Sequence, residues 1–177
     1  LYTRVFEYDK VGNRTQLTKT DGTVTTYAYD EAGRLTTETT TPPGGPSSTV
    51  DYDYDANGNL TREERDGDVV TYAYDFENRL IGVQTPDHTI THQLSPDGKR
   101  LATTIDDDTT SFEYDGLNVD REFLPDGTSI KYTLGRHVDA IIAFKHDTDP
   151  TYQYVTDRIN SVLQLTDPTG EVVNSYD

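Results

Sequence analysis

Large side chains recur in pairs two residues apart: Phe6/Tyr8, Tyr27/Tyr29, Tyr52/Tyr54, Tyr72/Tyr74, Phe112/Tyr114 and Tyr152/Tyr154, with His92/Leu94 and Tyr132/Leu134 in equivalent places. Counted on the second member, the spacings are 21, 25, 20, 20, 20, 20 and 20 residues. Residues i and i+2 of a strand share a face, so each pair points two large groups the same way. Polar residues follow in a fixed order. Asp9, Asp30, Asp55, Asp75 and Asp115 come directly after the second aromatic. Gly12, Gly33, Gly58, Asn78, Gly98 and Asn118 come four residues after it, and Gly and Asn tolerate the positive φ of a tight turn. Leu35, Leu60 and Leu80 open a second strand, which closes at turn signals such as Asp21-Gly22, Asp66-Gly67, Pro86-Asp87, Asp106-Asp107 and Asp126-Gly127.

Each unit therefore predicts a β-hairpin of two short strands and two turns. A lone hairpin is marginal in water, whereas stacked hairpins bury one another's faces. The expected fold is all-β: antiparallel hairpins stacked into a curved sheet, aromatic pairs in rows on one face and a Thr-rich opposite face left wet. The one long spacing contains Pro42-Pro43-Gly44-Gly45-Pro46-Ser47-Ser48, which reads as a loop insertion over 42–48. After residue 134 the pattern weakens: Gly135-Arg136-His137-Val138 replaces the turn, and Ala140 to Phe144 reads as a better-buried strand. A further unit begins at Tyr176, and the chain starts at Leu1 without Met, so a piece of a longer protein is expected.

Composition narrows the function. The 177 residues carry a net charge of −17, spread along the chain rather than gathered in a tail. That balance disfavours nucleic acid, which requires Lys and Arg to neutralise phosphates, and disfavours an anionic membrane surface. The absence of cysteine excludes disulfides and thiolate metal sites. The longest apolar run, Ala140-Ile141-Ile142-Ala143-Phe144, is too short to span a bilayer, so no membrane insertion is expected.

The stretches Tyr8-Asp9-Lys10-Val11-Gly12-Asn13-Arg14, Tyr27-Ala28-Tyr29-Asp30-Glu31-Ala32-Gly33-Arg34-Leu35, Tyr54-Asp55-Ala56-Asn57-Gly58-Asn59-Leu60 and Tyr72-Ala73-Tyr74-Asp75-Phe76-Glu77-Asn78-Arg79-Leu80 resemble the YD repeats of RHS-repeat proteins. The resemblance covers essentially the whole chain, and the copies at 94, 134 and 154 are degenerate. It divides the chain into a repeat array over 1–158 and, over 159–177, a stretch similar to the opening of the RHS-associated core. It implies a β-sheet that spirals into a hollow shell. In bacterial RHS toxins and toxin-complex subunits the shell encloses a toxic C-terminal polypeptide; in teneurins a related shell serves adhesion. About eight hairpins are too few to close such a shell, so an open piece of wall is expected. Some family members cut themselves at an Asp-Pro-x-Gly motif. Asp167-Pro168-Thr169-Gly170 fits superficially but lies upstream of where that motif belongs, and the activity is not carried over.

Three constellations compete with the repeat reading. Asp53, Asp55 and Asn57 with Gly58 and Glu64 satisfy the ligand spacing of a calcium-binding loop. Such a loop needs a helix on each side, and both flanks read as strand and turn. The repeat already accounts for Asp55, so only Asp53 and Glu64 are extra. His88 and His92 have the i, i+4 spacing that suits zinc on a helix, but on a strand four residues span about 13 Å, too far to chelate together. Asp106-Asp107-Asp108, with Asp147 and Asp149, reads as solvated acidic turns. No nucleophile is set beside a base and an orienting acid, and no phosphate-cradling glycine motif is present. The expectation is a non-enzyme without cofactor or resident metal. It is secreted or on a cell surface, and its partners are the rest of its own shell and an enclosed C-terminal domain. The alternative is an adhesion module that binds glycans or a cell-surface receptor through the Tyr rows. A truncated array would also leave edge strands open to self-association.

Overall fold

A computed structural model describes residues 3–135, 141–147, 149–157 and 161–176. Among them every regular element is a strand, and the fold is all-β and antiparallel. The chain divides into two compact units, Leu1–Ile90 and Thr91–Asp177. The first holds β1 (Arg4–Tyr8), β2 (Arg14–Lys19), β3 (Val24–Tyr29), β4 (Leu35–Thr41), β5 (Ser48–Tyr54), β6 (Leu60–Arg65), β7 (Asp68–Tyr74) and β8 (Leu80–Gln84). β9 (Thr89–Leu94) spans the division. The second holds β10 (Arg100–Ile105), β11 (Asp108–Asp115), β12 (Asn118–Phe123), β13 (Ser129–Leu134), β14 (Ile141–His146), β15 (Tyr152–Thr156), β16 (Val162–Thr166) and β17 (Val172–Ser175).

Thr, Val and Tyr fill these strands because a branched or aromatic side chain packs well on a pleated surface. In β3 and β5 exposure alternates: Tyr27, Tyr29, Tyr52 and Tyr54 are half-buried while Ala28, Asp51 and Asp53 face water. Cross-strand pairing carries the same face sideways, through Tyr27 to Glu38, Val50 and Arg65, and through Tyr52 to Glu63 and Val70. The lining of the Tyr face is thus aromatic and acidic together. The opposite face carries Thr26, Thr39 and Thr49 in one row.

Little is fully buried. Among the described residues only Val50, Ala143, Thr23 and Thr25 are buried. Ala143 agrees with the better-buried strand expected near 140–144, although Ile142 beside it is 51% exposed. Phe144 stacks on Tyr152 with ring centroids 5.4 Å apart. The stretch Arg136 to Ala140, with its altered turn, lies outside the described residues, as do Ile159 and Asn160. The Pro-rich loop between β4 and β5 returns toward the β2–β3 turn: a Cβ on Gly22 would stand 3.1 Å from the Pro43 ring.

A β-bulge recurs at the start of the second strand of hairpins in both units. Tyr8 pairs with Arg14 but Glu7 with Gln16, leaving Thr15 extra. Thr36 after Leu35, Thr61 after Leu60 and Ile81 after Leu80 are extra in the same way. The second unit repeats this at Asp120, Ile142 and Leu163. A bulge breaks the regular ladder locally, so the backbone groups there need partners from elsewhere.

Candidate functional site: the YD turn and its rungs

The aspartate after each aromatic pair is the hub of its turn. Asp30 Oδ1 accepts the Ala32 and Arg34 N–H groups, each at 2.9 Å, and Oδ2 accepts Arg34 Nε at 2.7 Å. Gly33 donates to the Asp30 carbonyl at 3.0 Å and has φ 78°, a conformation that glycine adopts without strain. Asp9, Asp55 and Asp75 build the same turn, with Gly12, Gly58 and Asn78 at positive φ. Asp167 does so as well: it accepts the Thr169 and Glu171 N–H groups, with Gly170 at φ 88°. The Asp-Pro-Thr-Gly stretch is therefore a further turn of the repeat type. In the fifth unit Ser95 takes the place of the aspartate, its Oγ accepting Lys99 N–H at 2.9 Å.

The sixth unit departs from this plan. Asp115 lies in β11 and pairs with Asn118 across a two-residue turn. The positive φ expected at Asn118 falls instead on Gly116, at 60°. A connection this short has no room for the five-residue loop that the other aspartates cap.

In three pairs the second tyrosine reaches back to the preceding hairpin. Tyr29 Oη donates to the Arg14 carbonyl, Tyr54 Oη to the Leu35 carbonyl and Tyr114 Oη to the Arg100 carbonyl, each at 2.9 Å. Arg14 and Leu35 immediately precede the extra bulge residues, so the hydroxyl satisfies backbone beside the broken ladder. Above two of these rings sits the basic residue that ends the preceding turn: the Arg34 guanidinium lies 5.0 Å from the Tyr54 centroid and Lys99 Nζ 5.6 Å from that of Tyr114. Turn also meets turn. Arg34 donates to the Asp55 carbonyl at 3.1 Å, and Asn57 and Asn59 donate to Asn78 Oδ1 at 3.0 and 2.8 Å.

Burial pushes the phenols of Tyr52, Tyr54 and Tyr72 up; Glu38 and Glu63 add to the effect on Tyr52, and Glu63 to that on Tyr72. Tyr132, raised strongly for the same reason, donates its hydroxyl to Glu122 at 2.8 Å. The Tyr27 ring lies 5.5 Å from the Arg14 guanidinium.

The structure scatters the calcium candidates. Arg62 stands between Asp53 and Glu64, 3.3 Å from Asp53 Oδ2 and in close contact with Glu64 Oε2. Asp55 is spent on its own turn, and Asn57 reaches Asn78. The two acids that the repeat leaves unexplained thus share a guanidinium, a partner that sequence spacing did not reveal. His92 lies on β9 with Nδ1 3.1 Å from the Thr103 hydroxyl, while His88 closes the turn with Thr85. Burial, and then Arg100, push the His92 imidazole down. Asp147 holds the Ser129 amide and hydroxyl at 2.8 and 2.9 Å, and Asp149 meets His146 at 3.3 Å. Among the described residues no three His, Cys, Asp or Glu come together as a metal cluster.

The turn carboxylates make stability depend on pH. The Arg34 amide and then its guanidinium hold Asp30 below the usual carboxylate range. The Asn59 side chain does the same for Asp55, the Arg79 amide for Asp75 and the Thr169 hydroxyl for Asp167. A folded-state pKa below the unfolded one contributes stability that is present above the unfolded value and lost as pH falls through the folded one. Thermal midpoints are therefore expected to fall steadily below about pH 4. Changing Asp75, the most sheltered of the ion-paired turn acids at 15% exposure, to asparagine should flatten that fall. A mutant curve parallel to the wild type would count against the turn as its source.

Residues 8–47 and 54–90 match the family model described as RHS Repeat. The chain thus resembles RHS-repeat proteins over these two stretches, both within residues 1–90. Its fold matches that of toxin-complex proteins of known structure. The Photorhabdus luminescens Tc holotoxin pore with mutated TccC3 gives a TM-score of 0.63 at 21% identity, over 99% of this chain and 9% of that one. TcdB2–TccC3 with Cdc42 gives 0.64 at 21% identity, over 99% and 9%. TcdB2–TccC3 without its hypervariable C-terminal region gives 0.64 at 22% identity, again over 99% and 9%. The chain thus spans about a tenth of the length of these relatives. A search of curated proteins returns no match.

Proposed function

We propose that this chain is a stretch of wall in an RHS shell that encloses a C-terminal polypeptide of the same protein, in a secreted or cell-surface setting. The observation that carries this reading is where the motif's polar groups go. The repeat aspartates cap their own turns, and Tyr29, Tyr54 and Tyr114 tie one hairpin to the one before. The chemistry of the motif is directed along the array, which suits a container and leaves no catalytic role for it.

The mechanism is exclusion. A hydrogen-bonded ladder separates an enclosed polypeptide from solvent and proteases. A face that mixes Tyr rings with Glu38, Glu63 and Glu122 offers an unfolded chain apolar contact and hydrogen bonds together, without driving it to collapse. Residues 1–158 serve as repeat array and 159–177 as the opening of the core that closes it. The likeness to TcdB2–TccC3, which has a hypervariable C-terminal region, supports the shell reading.

Limited proteolysis of the full-length protein tests it. The polypeptide downstream of the array is expected to survive in the wild type. Deleting residues 54–73, one repeat length, should open it to digestion. Equal digestion with and without the deletion would overturn the wall reading. So would a glycan-array signal that Tyr-row substitutions abolish, which would favour adhesion.

A further inference from the structure

The rungs between neighbouring turns follow two designs. In one, a basic residue four after the turn aspartate reaches forward, as Arg34 does to the Asp55 carbonyl and the Tyr54 ring. In the other, an asparagine at the positive-φ position of the next turn receives the preceding one, as Asn78 receives Asn57 and Asn59. The step from the first turn to the second has neither. Asn13 stands where Arg34 stands in the next unit and donates only to its own Asp9, at 3.0 Å. Gly33 stands where Asn78 would reach back, and a Cβ there would meet nothing within 4 Å.

The missing rung leaves a groove of about 590 Å³ between the two turns. Its lining includes Asp9, Asn13, Tyr29, Asp30, Glu31 and Gly33. Arg14 does not line it. That guanidinium lies in the adjoining groove, 5.1 Å from the Phe6 ring and 5.5 Å from that of Tyr27. The groove therefore presents a carboxylate, an aromatic face and backbone oxygen in the order in which the next rung presents them to Arg34, without the cation.

We infer that this groove is a binding site for a guanidinium group, specifically an arginine side chain of a polypeptide partner. The internal precedent defines its pose. Arg34 sets Nε 2.7 Å from Asp30 Oδ2, lays its guanidinium 5.0 Å from the Tyr54 centroid and donates to the Asp55 carbonyl at 3.1 Å. One turn earlier, the equivalent groups are the Asp9 carboxylate, the Tyr29 ring and the Asp30 carbonyl. A planar fork that stacks while it donates is the property that distinguishes arginine from lysine. The site needs only the first two turns and does not depend on the wall reading.

The test is a titration of the protein with N-acetyl-arginine amide, followed by amide chemical shifts, against the citrulline and lysine analogues. Saturable shifts confined to Asp9–Asn13 and Asp30–Gly33 are expected with the arginine analogue. Neither of the other two should match them. Asn13→Arg should occupy the groove from within, lowering affinity at least tenfold and raising the thermal midpoint. Gly33→Asn, which copies Asn78 at a conformation asparagine tolerates, should close it from the other side with the same loss of affinity. No saturable binding, equal binding of the lysine analogue, or undiminished binding by the two folded variants would overturn the assignment.

Discussion

Val50→Asp is expected to unfold the Leu1–Ile90 unit. Val50 is 1% exposed, the most buried large side chain among the described residues. It sits in one row between Glu38 and Arg65, and Arg65 is already engaged with Glu63 at 3.5 Å. A carboxylate there would be desolvated next to another acid. The cost should exceed about 4 kcal/mol, the range reserved for buried unpaired charge. Val50→Ala should cost about 2 kcal/mol, from two lost methyl groups and incomplete collapse around them. Val11→Asp, at a position 83% exposed, should change stability by less than about 0.5 kcal/mol. Urea denaturation of the three variants gives the comparison. If Val50→Asp unfolded at the wild-type midpoint, the Tyr face would not be the packed face of this unit.

So large an effect from one valine follows from how little else is buried. Among the described residues no second sheet is present, and the Tyr rows of the Leu1–Ile90 unit are half-buried rather than covered. Cohesion therefore comes from the strand ladder and from side-chain bonds between hairpins. Thr25 and Thr40, and Thr39 and Thr49, pair across strands through their hydroxyls at 3.0 and 3.2 Å, one reason that threonine is so frequent in these strands.

Much of this was legible in the residues. The two-residue aromatic spacing marked the strands, Asp-x-x-Gly marked the turns, and their recurrence marked the all-β array. The rest depends on pairing across strands. The bulges after Leu35, Leu60 and Leu80 arise because one strand places two residues opposite one, and no single-strand period records that. The Tyr54 hydroxyl looked like part of a lining or of a sugar platform, yet its acceptor is the Leu35 carbonyl, 19 residues away. Arg62, on the strand opposite Asp53, supplies the cation that the calcium spacing had left open. In the first five units the residue four after the turn hub, Asn13, Arg34, Asn59, Arg79 or Lys99, did carry a signal, which Glu171 after Asp167 does not share. All five side chains carry N–H groups, which is what a turn carboxylate or a neighbouring turn needs.

Removing the tyrosine hydroxyls should be the second large effect. In Tyr54→Phe the Leu35 carbonyl loses its donor beside a bulge, where the strand ladder supplies no replacement. The expected cost is about 1 kcal/mol, the usual net worth of such a bond when one partner is deleted. Tyr29→Phe removes the equivalent bond to Arg14. Leu35 lies directly opposite Tyr29, so the two rungs share backbone and their losses should couple. The double variant is expected to lose about 2 kcal/mol or more.

The YD side chains bind the repeats to one another. The most direct test is the urea stability of the Tyr29→Phe/Tyr54→Phe double variant against Tyr8→Phe, whose ring is 59% exposed on the first strand. The predicted result is a loss of about 2 kcal/mol in the double variant and of less than about 0.5 kcal/mol in Tyr8→Phe. Equal stability of the double variant, Tyr8→Phe and the wild type would contradict it.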